Sequence, residues 1–254
     1  MTTRISLDAE QYNDFIRCLT NLKDVCNDVD IRGGFIRQRT NGNISIFQID
    51  VTSMVGDANV AIIDLKQKLD LLKTFQGQDV DLEITEPTPG DPGSFTFSDQ
   101  YSSLRVVLPT PEFVDNKFMS EEELVSIFNS SEDDLIFEYD IPQLITDRVS
   151  VITTSFNIKS IRVDFDGELV NISAATQAKD QIAKFVSDLE TNMELEKSSA
   201  YISVIPFSID HDTDIEFKMY KDPNQDVTLN NFSTQLGDID INIYTRASII
   251  KDED

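Results

Sequence analysis

The segment VAIIDLKQKLDLLKTFQGQDVDLEI, residues 60–84, decides the fold, because its apolar period changes along its length. Val60–Ile63 reads as a short extended stretch. Leu65, Leu69 and Leu72 then recur on one face over residues 65–76, the spacing of an amphipathic helix. From Val80 the pattern becomes alternation: Val80, Leu82 and Ile84 against Asp79, Asp81 and Glu83. That is a strand with one buried and one wet face, as in an antiparallel sheet.

Outward from this segment, alternation dominates. It recurs at Ile44, Ile46 and Ile49, at Phe95 and Phe97, at Ile161, Val163 and Phe165, and at Ile239, Ile241 and Ile243. Turn residues separate these runs: Asn41-Gly42, Asp166-Gly167, Asp222-Pro223 and Gly237-Asp238. Pro87–Gly93 reads as a hairpin loop. Two further stretches have helical period: residues 8–26, with Tyr12, Phe15, Ile16, Leu19 and Leu22 on one face, and residues 141–156, with Leu144, Ile145, Val149, Ile152 and Phe156 together. All three helices open on an apolar residue, then Asp, then Gln three later: Asp8/Gln11, Asp64/Gln67 and Asp140/Gln143. Asp can cap the free N–H groups of the first turn while Gln reaches back.

Pro109-Thr110-Pro111 ends a strand, and an acidic stretch with a capping-box start at Ser120–Glu123 follows. The chain therefore divides into residues 1–110, a connector 111–134, and residues 135–254, each half of ordinary domain size. The second half has only a short crossover at Pro206–Asp214.

The net charge is −25. Residues 1–110 hold 10 basic and 16 acidic groups, net −6, and residues 111–254 hold 11 and 30, net −19. Such a balance argues against a broadly basic nucleic-acid binder, but DNA feels the local field and not the total. No run of about 18 apolar residues is present, so no membrane partner is expected. The start, MTTRISLDAEQYNDF, lacks the blocks of a signal peptide. A cytoplasmic protein, in the host cytoplasm if viral, is the expectation.

Chemistry-bearing motifs are sparse. Cys18 and Cys26 lie eight apart on one helix, roughly 12 Å, too far for a disulfide, which needs about 7 Å. They read as reduced core thiols. His211, the lone histidine, sits among Asp210, Asp212 and Asp214 in what reads as an exposed loop. Asp164, Asp166 and Glu168 around Gly167 do not complete a calcium loop. We expect no catalytic residue, no metal and no cofactor, hence no enzyme.

The cations are more informative. Lys66 and Lys73 are seven apart, opposite the leucine face, with Lys68 flanking. On the first helix Arg17 lies away from the apolar face, with Asn13, Thr20 and Asn21, and Lys23 flanks that face; Arg148 lies at the margin of the third. On the residues alone such faces read first as solvated helix surface. They also suit a path for phosphates.

Taken together, the strand–turn–strand Gly34–Ser45, the passage Val60–Leu65 into a helix, the strand Val80–Ile84, and the helix 141–156 running into Ile161–Phe165, Asp166-Gly167 and Leu169–Ser173 resemble the DNA polymerase sliding clamps. The closest likeness is to the two-domain type of large tailed phages, similar to proliferating cell nuclear antigen. The resemblance is one of element order over nearly the whole chain and not of a diagnostic motif. It implies an α+β fold of two clamp-type domains, each with helices on curved antiparallel β-sheet. It implies a homotrimeric ring around double-stranded DNA, without sequence preference, lined by Arg17, Lys23, Lys66, Lys68, Lys73 and Arg148. It implies subunit joining by strand addition, with Ser103, Leu104, Arg105 and Val106 meeting Gln181, Ala183 and Phe185 of the next subunit. It implies DNA polymerase, clamp loader and other replication or repair proteins as partners, docking short apolar peptides near Phe113, Val114, Phe118, Ile249 and Ile250. The short acidic crossover at Phe207–Asp214 departs from the pattern where a clamp places a helix toward DNA. An acidic β-rich viral structural or assembly protein, and a monomeric clamp-like processivity factor, are the competing readings.

Overall fold

A computed structural model describes residues 2–40, 45–110, 118–128, 134–165, 169–175, 182–188, 198–222 and 227–248. The chain forms two compact units. The first comprises Met1–Leu124 with Asp210–Asp212 and Gln235–Ile241; the second comprises Val125–Ile209, Thr213–Thr234 and Asn242–Asp254.

Unit 1 runs β1 (Thr2–Leu7), α1 (Ala9–Leu22), β2 (Val29–Arg32), β3 (Phe35–Arg39), β4 (Ser45–Asp50), a short helix α2 (Thr52–Val55), β5 (Val60–Ile62), α3 (Leu65–Leu72), β6 (Val80–Thr85), β7 (Gly93–Ser98) and β8 (Ser103–Leu108). A 3-10 turn, Lys73–Phe75, extends α3. The strands fall into two antiparallel runs, β1-β6-β7-β8 and β5-β2-β3-β4. Pairing of Thr85 with Ser94 brackets the Pro87–Gly93 loop as a hairpin, as the sequence predicts.

The capping box of α1 is present in full. Asp8 accepts from the N–H groups of Glu10 (3.0 Å) and Gln11 (2.9 Å), and Gln11 Oε1 accepts from Asp8 N–H (3.2 Å). The face behind it buries Tyr12, Phe15, Ile16, Leu19 and Leu22. Phe97 gathers the ring of Tyr12 (5.9 Å), Phe75 (6.4 Å) and Phe95 (5.8 Å). Tyr12 also donates its hydroxyl to the Leu72 carbonyl at 2.7 Å, tying α1 to α3. Leu65, Leu69 and Leu72 are buried, each contributing about 1.5–3 kcal/mol.

The start of α3 differs from expectation. Asp64 adopts the left-handed region (φ 52°) and its side chain caps nothing. Its N–H donates instead to Asp28 Oδ1 (3.0 Å), and Leu65 N–H to the Asn27 carbonyl (2.9 Å). A neighbouring segment thus anchors the first turn.

Unit 2 runs α4 (Glu121–Ile127, shared with unit 1 through Leu124), β9 (Leu135–Ile141), α5 (Gln143–Ser155), β10 (Ser160–Phe165), β11 (Leu169–Ala175), β12 (Ile182–Asp188), β13 (Ser198–Ser203), a 3-10 turn at Ile205–Phe207, β14 (Ile215–Lys221), β15 (Val227–Leu236) and β16 (Ile239–Ser248). Its runs are β12-β11-β10-β13 and β16-β15-β14-β9. The order is that of unit 1 repeated: the strand before the first long helix leads β6-β7-β8 in one unit and β14-β15-β16 in the other. The core is aromatic, with Phe217 stacked on Phe232 at 4.4 Å and Phe137 against Phe165 (5.0 Å) and Phe217 (5.3 Å).

Two expectations fail at α5. Asp140 belongs to β9 and does not cap; Pro142 holds the N-cap position, and Gln143 N–H donates to Asp214 Oδ1 at 2.9 Å. The buried stripe is Thr146, Val149 and Thr153, while Leu144 (60%), Val151 (66%) and Phe156 (46%) are exposed. Thr153 fits the interior because its hydroxyl donates to the Val149 carbonyl at 2.8 Å. His211, expected in an exposed loop, is buried. Cys18 and Cys26 are buried thiols outside any disulfide, as expected, but only Cys18 is on α1, which ends at Leu22; Cys26 follows it, with its Sγ 3.8 Å from the Arg39 carbonyl. The expected turns Asn41-Gly42 and Asp166-Gly167 lie outside the described residues.

Candidate nucleic-acid interface

The cations predicted for a phosphate path fall into three environments. On α3, Lys66 is exposed and Lys68 and Lys73 are half-buried. A lysine so placed can lay its stem along the surface and keep its ammonium group in water. Only Asp70 interrupts this face. Lys23 is the C-cap of α1, its N–H bonded to the Leu19 carbonyl (3.1 Å), and is half-buried. Arg148 is exposed on α5 beside exposed Asp147, with Leu144 and Val151 above and below it on the same face.

Arg17 is in the third environment. Its guanidinium donates to Asp210 through Nε (2.7 Å) and Nη2 (3.0 Å), to Asp212 through Nη2 (2.7 Å) and Nη1 (3.1 Å), and to Asp14 through Nη1 (3.1 Å). All three nitrogens are occupied by carboxylates of unit 1, and the group carries no spare donor for phosphate in this geometry. These bonds raise the Arg17 pKa, with the hydrogen bond to Asp210 leading. They hold Asp212 below the usual carboxylate range, Arg17 being the main cause. Asp14, almost fully buried, is pushed up by its desolvation. Asn21 completes the clasp, exchanging hydrogen bonds with the Asp210 backbone at 2.8 and 2.9 Å. A sequence reading could not pair Arg17 with acids more than 190 positions away; three aspartates in alternation around His211 were the available signal.

The candidate joining strands are both terminal. β8 ends the run β1-β6-β7-β8, and β12 ends the run β12-β11-β10-β13. On β8, Ser103 and Arg105 are exposed, Leu104 is half-buried and Val106 is buried toward the core. On β12, Ala183 and Phe185 are half-buried and Lys184 is exposed. Gln181 lies outside the described residues.

Of the candidate peptide pocket, only Phe118 is described; Phe113, Val114, Ile249 and Ile250 lie outside the described residues. Phe118 is half-buried and bridges to Gln38 on β3. Met119 N–H donates to the Arg37 carbonyl at 2.8 Å, and Arg37 reaches Glu121 at 3.4 Å. The Ser120–Glu123 capping box is present, with bonds of 2.8 and 3.1 Å. Val125, one of the short apolar patch Leu124, Val125, Ile127 and Phe128 in the connector, is exposed on α4, whereas Leu124 is buried.

A cleft of about 530 Å³ is lined by Ser6, Asp79, Asp81 and Asp99 among others. Its acids are engaged locally: Asp79 accepts from Ala9 N–H, Asp81 from the Ser6 hydroxyl, and Asp99 from the N–H groups of Tyr101 and Ser102. Among the described residues no cluster of His, Cys, Asp or Glu is arranged to hold a metal, and no helix is long and apolar enough to cross a membrane.

No protein-family model matches the chain, and no curated protein matches it in sequence. Solved structures do match. The chain is similar to one from the PCNA2–PCNA3 complex of Sulfolobus tokodaii, at 13% identity and a TM-score of 0.63, over 96% of this chain and 99% of that one. It is likewise similar to proliferating cellular nuclear antigen from Entamoeba histolytica, at 12% identity and a TM-score of 0.63, over 96% and 98%. With two units of the same strand order and matches end to end, the chain has the two-domain fold of the DNA sliding clamps.

Proposed function

We propose that this chain is a sliding clamp, a non-enzymatic processivity factor that encircles duplex DNA and tethers DNA polymerase and other replication proteins to it. The observation that carries the reading is the repeated unit, in which β8 and β12 each end a four-stranded run. Three copies joined β8 to β12, through Ser103–Val106 and Gln181–Phe185, form the ring. Backbone hydrogen bonds along the added strand supply the join. Lys23, Lys66, Lys68 and Lys73 face the DNA, where they hold phosphates without reading sequence. The acidic exterior, net −25 for the whole chain, repels DNA from elsewhere on the surface. Phe118, with Phe113, Val114, Ile249 and Ile250, takes short apolar peptides of polymerase, clamp loader and repair proteins. The setting is the cytoplasm of a cell infected by a large tailed phage.

Light scattering with chromatography over a dilution series tests this. A species near three times the 28.7 kDa chain mass, dissociating on dilution, is expected. A monomer at every concentration overturns the ring and leaves a monomeric processivity factor.

A further inference from the structure

We infer that phosphate contact in this clamp is carried by unit 1, with α3 leading and Lys23 adding to it, and is not shared with α5 of unit 2. The inference rests on the DNA-encircling reading above and concerns which helices touch the DNA.

The first ground is the distribution of unpaired cations. Arg4, Arg17, Arg32, Arg37, Arg162 and Lys218 each have a carboxylate within ion-pair distance. Among the described residues, Lys66, Lys68 and Lys73 have none; Lys23, Arg39, Arg105, Arg148, Lys159 and Lys184 have none either, but each of these stands singly in the sequence. Three unpaired ammonium groups thus fall within eight consecutive positions of a chain whose net charge is −25. With Asp70 the only acid between Leu65 and Phe75, this is the one described helix that is net positive. The buried leucines on its other face hold the lysines outward.

The second ground is the face that α5 presents. Leu144, Arg148 and Val151 follow at helical spacing, and Leu144 and Val151 are among the most exposed apolar residues described. Arg148 is the only cation of α5, and with Asp147 the helix has no net charge. A helix with one cation, set between two exposed apolar side chains and with no net charge, offers phosphates far less than α3 does. The second crossover of unit 2 adds none: it is a 3-10 turn, Ile205–Phe207, of apolar residues. The DNA track is therefore confined to one half of each subunit.

The test is equilibrium binding of the full chain to a fluorescein-labelled linear duplex, read by anisotropy over a salt series. The variants are the triple Lys66→Gln/Lys68→Gln/Lys73→Gln and the single Arg148→Gln, each checked for wild-type ring mass by light scattering. Each phosphate contact contributes about 0.9 to the slope of log affinity against log salt. The triple variant is expected to flatten that slope by about 2–3 and to lose at least about tenfold in affinity at low salt. Arg148→Gln is expected to leave the slope where it was. An unchanged slope in the triple variant, or an equal loss in Arg148→Gln, overturns the inference while leaving DNA binding intact. If the unmodified chain fails to bind duplex even at low salt, the DNA-encircling reading falls, and this inference with it.

Discussion

Arg17 on the first helix and Asp212, 195 positions later, are joined by two hydrogen bonds, Nη2 to Oδ1 at 2.7 Å and Nη1 to Oδ2 at 3.1 Å. With Asp210 and Asp14 on the same guanidinium, the N-terminal helix is fastened to a segment from the far end of the chain. Arg17→Ala leaves Asp14, 7% exposed, buried without its cation. The expected loss is about 2 kcal/mol, reduced from the value for a fully buried pair because Asp210 and Asp212 remain about half in water. A first thermal transition unchanged from wild type would show that the clasp contributes nothing.

The two acids of this clasp respond oppositely to pH. Asp212 is depressed below its ordinary 3.8, chiefly by the Arg17 hydrogen bond. It therefore adds stability above that value and loses it as pH falls through its folded pKa. Asp14 is raised above 3.8, chiefly by burial, so its favourable contribution is present below 3.8 and lost as pH rises through its folded pKa. Asp212→Asn should be less stable than wild type at neutral pH, and the gap should close on acidification. Asp14→Asn should gain on wild type as pH rises from below 3.8. Melting temperatures across the acid range decide it; gaps that do not change with pH would refute the assignment.

Gly237, with φ at +56°, donates its N–H to Asp212 Oδ2 at 2.8 Å, and a Cβ there would meet the Asp14 carboxylate. Gly237→Ala should cost more than the roughly 1 kcal/mol of positive φ alone, because it also displaces the buried acid. Urea unfolding of the variant should show this. A cost of only about 1 kcal/mol would mean that Asp14 moves aside freely.

Burial pushes the Cys18 thiol up to about 12. A thiolate-seeking reagent at pH 8 should leave it unlabelled in the folded chain and label it on unfolding. Rapid native labelling of Cys18, located by peptide mass, would contradict that burial.

The proposed join predicts a paired result on β8. Leu104 and Arg105 point their N–H groups to opposite sides of the strand. Of Leu104→Pro and Arg105→Pro, one removes a bond to β7 and the other removes a donor on the open edge. The edge variant should keep its circular dichroism and run as a monomer. Ring mass retained in both variants would exclude β8 from the join.

Much of this fold is written locally. The Asp8–Gln11 box and the Ser120–Glu123 box depend on residues three apart, so short-range sequence is enough to find them. The same string at Asp64 and Asp140 misleads, because tertiary contacts set the backbone there: Asn27 and Asp28 serve one helix start, and Asp214 the other. The buried face of α5 is illegible for a different reason. Leu144, Ile145, Val149, Val151, Ile152 and Phe156 spread over nearly half the circumference, so the sequence does not mark which part is buried, and Thr146 and Thr153 join Val149 in the interior. His211 reads as exposed because acids flank it, yet it is buried. The α3 lysines were legible because the leucines opposite them are regular. That Arg17 is neutralised was not, because its partners are remote in sequence.

The open edges β8 and β12 are unlike strands, one from each unit. A junction between them is heterologous, so every copy must point the same way around a closed assembly. On the proposed function such an assembly would have two distinct sides, and a partner that recognises one of them would be given a direction of travel along the duplex.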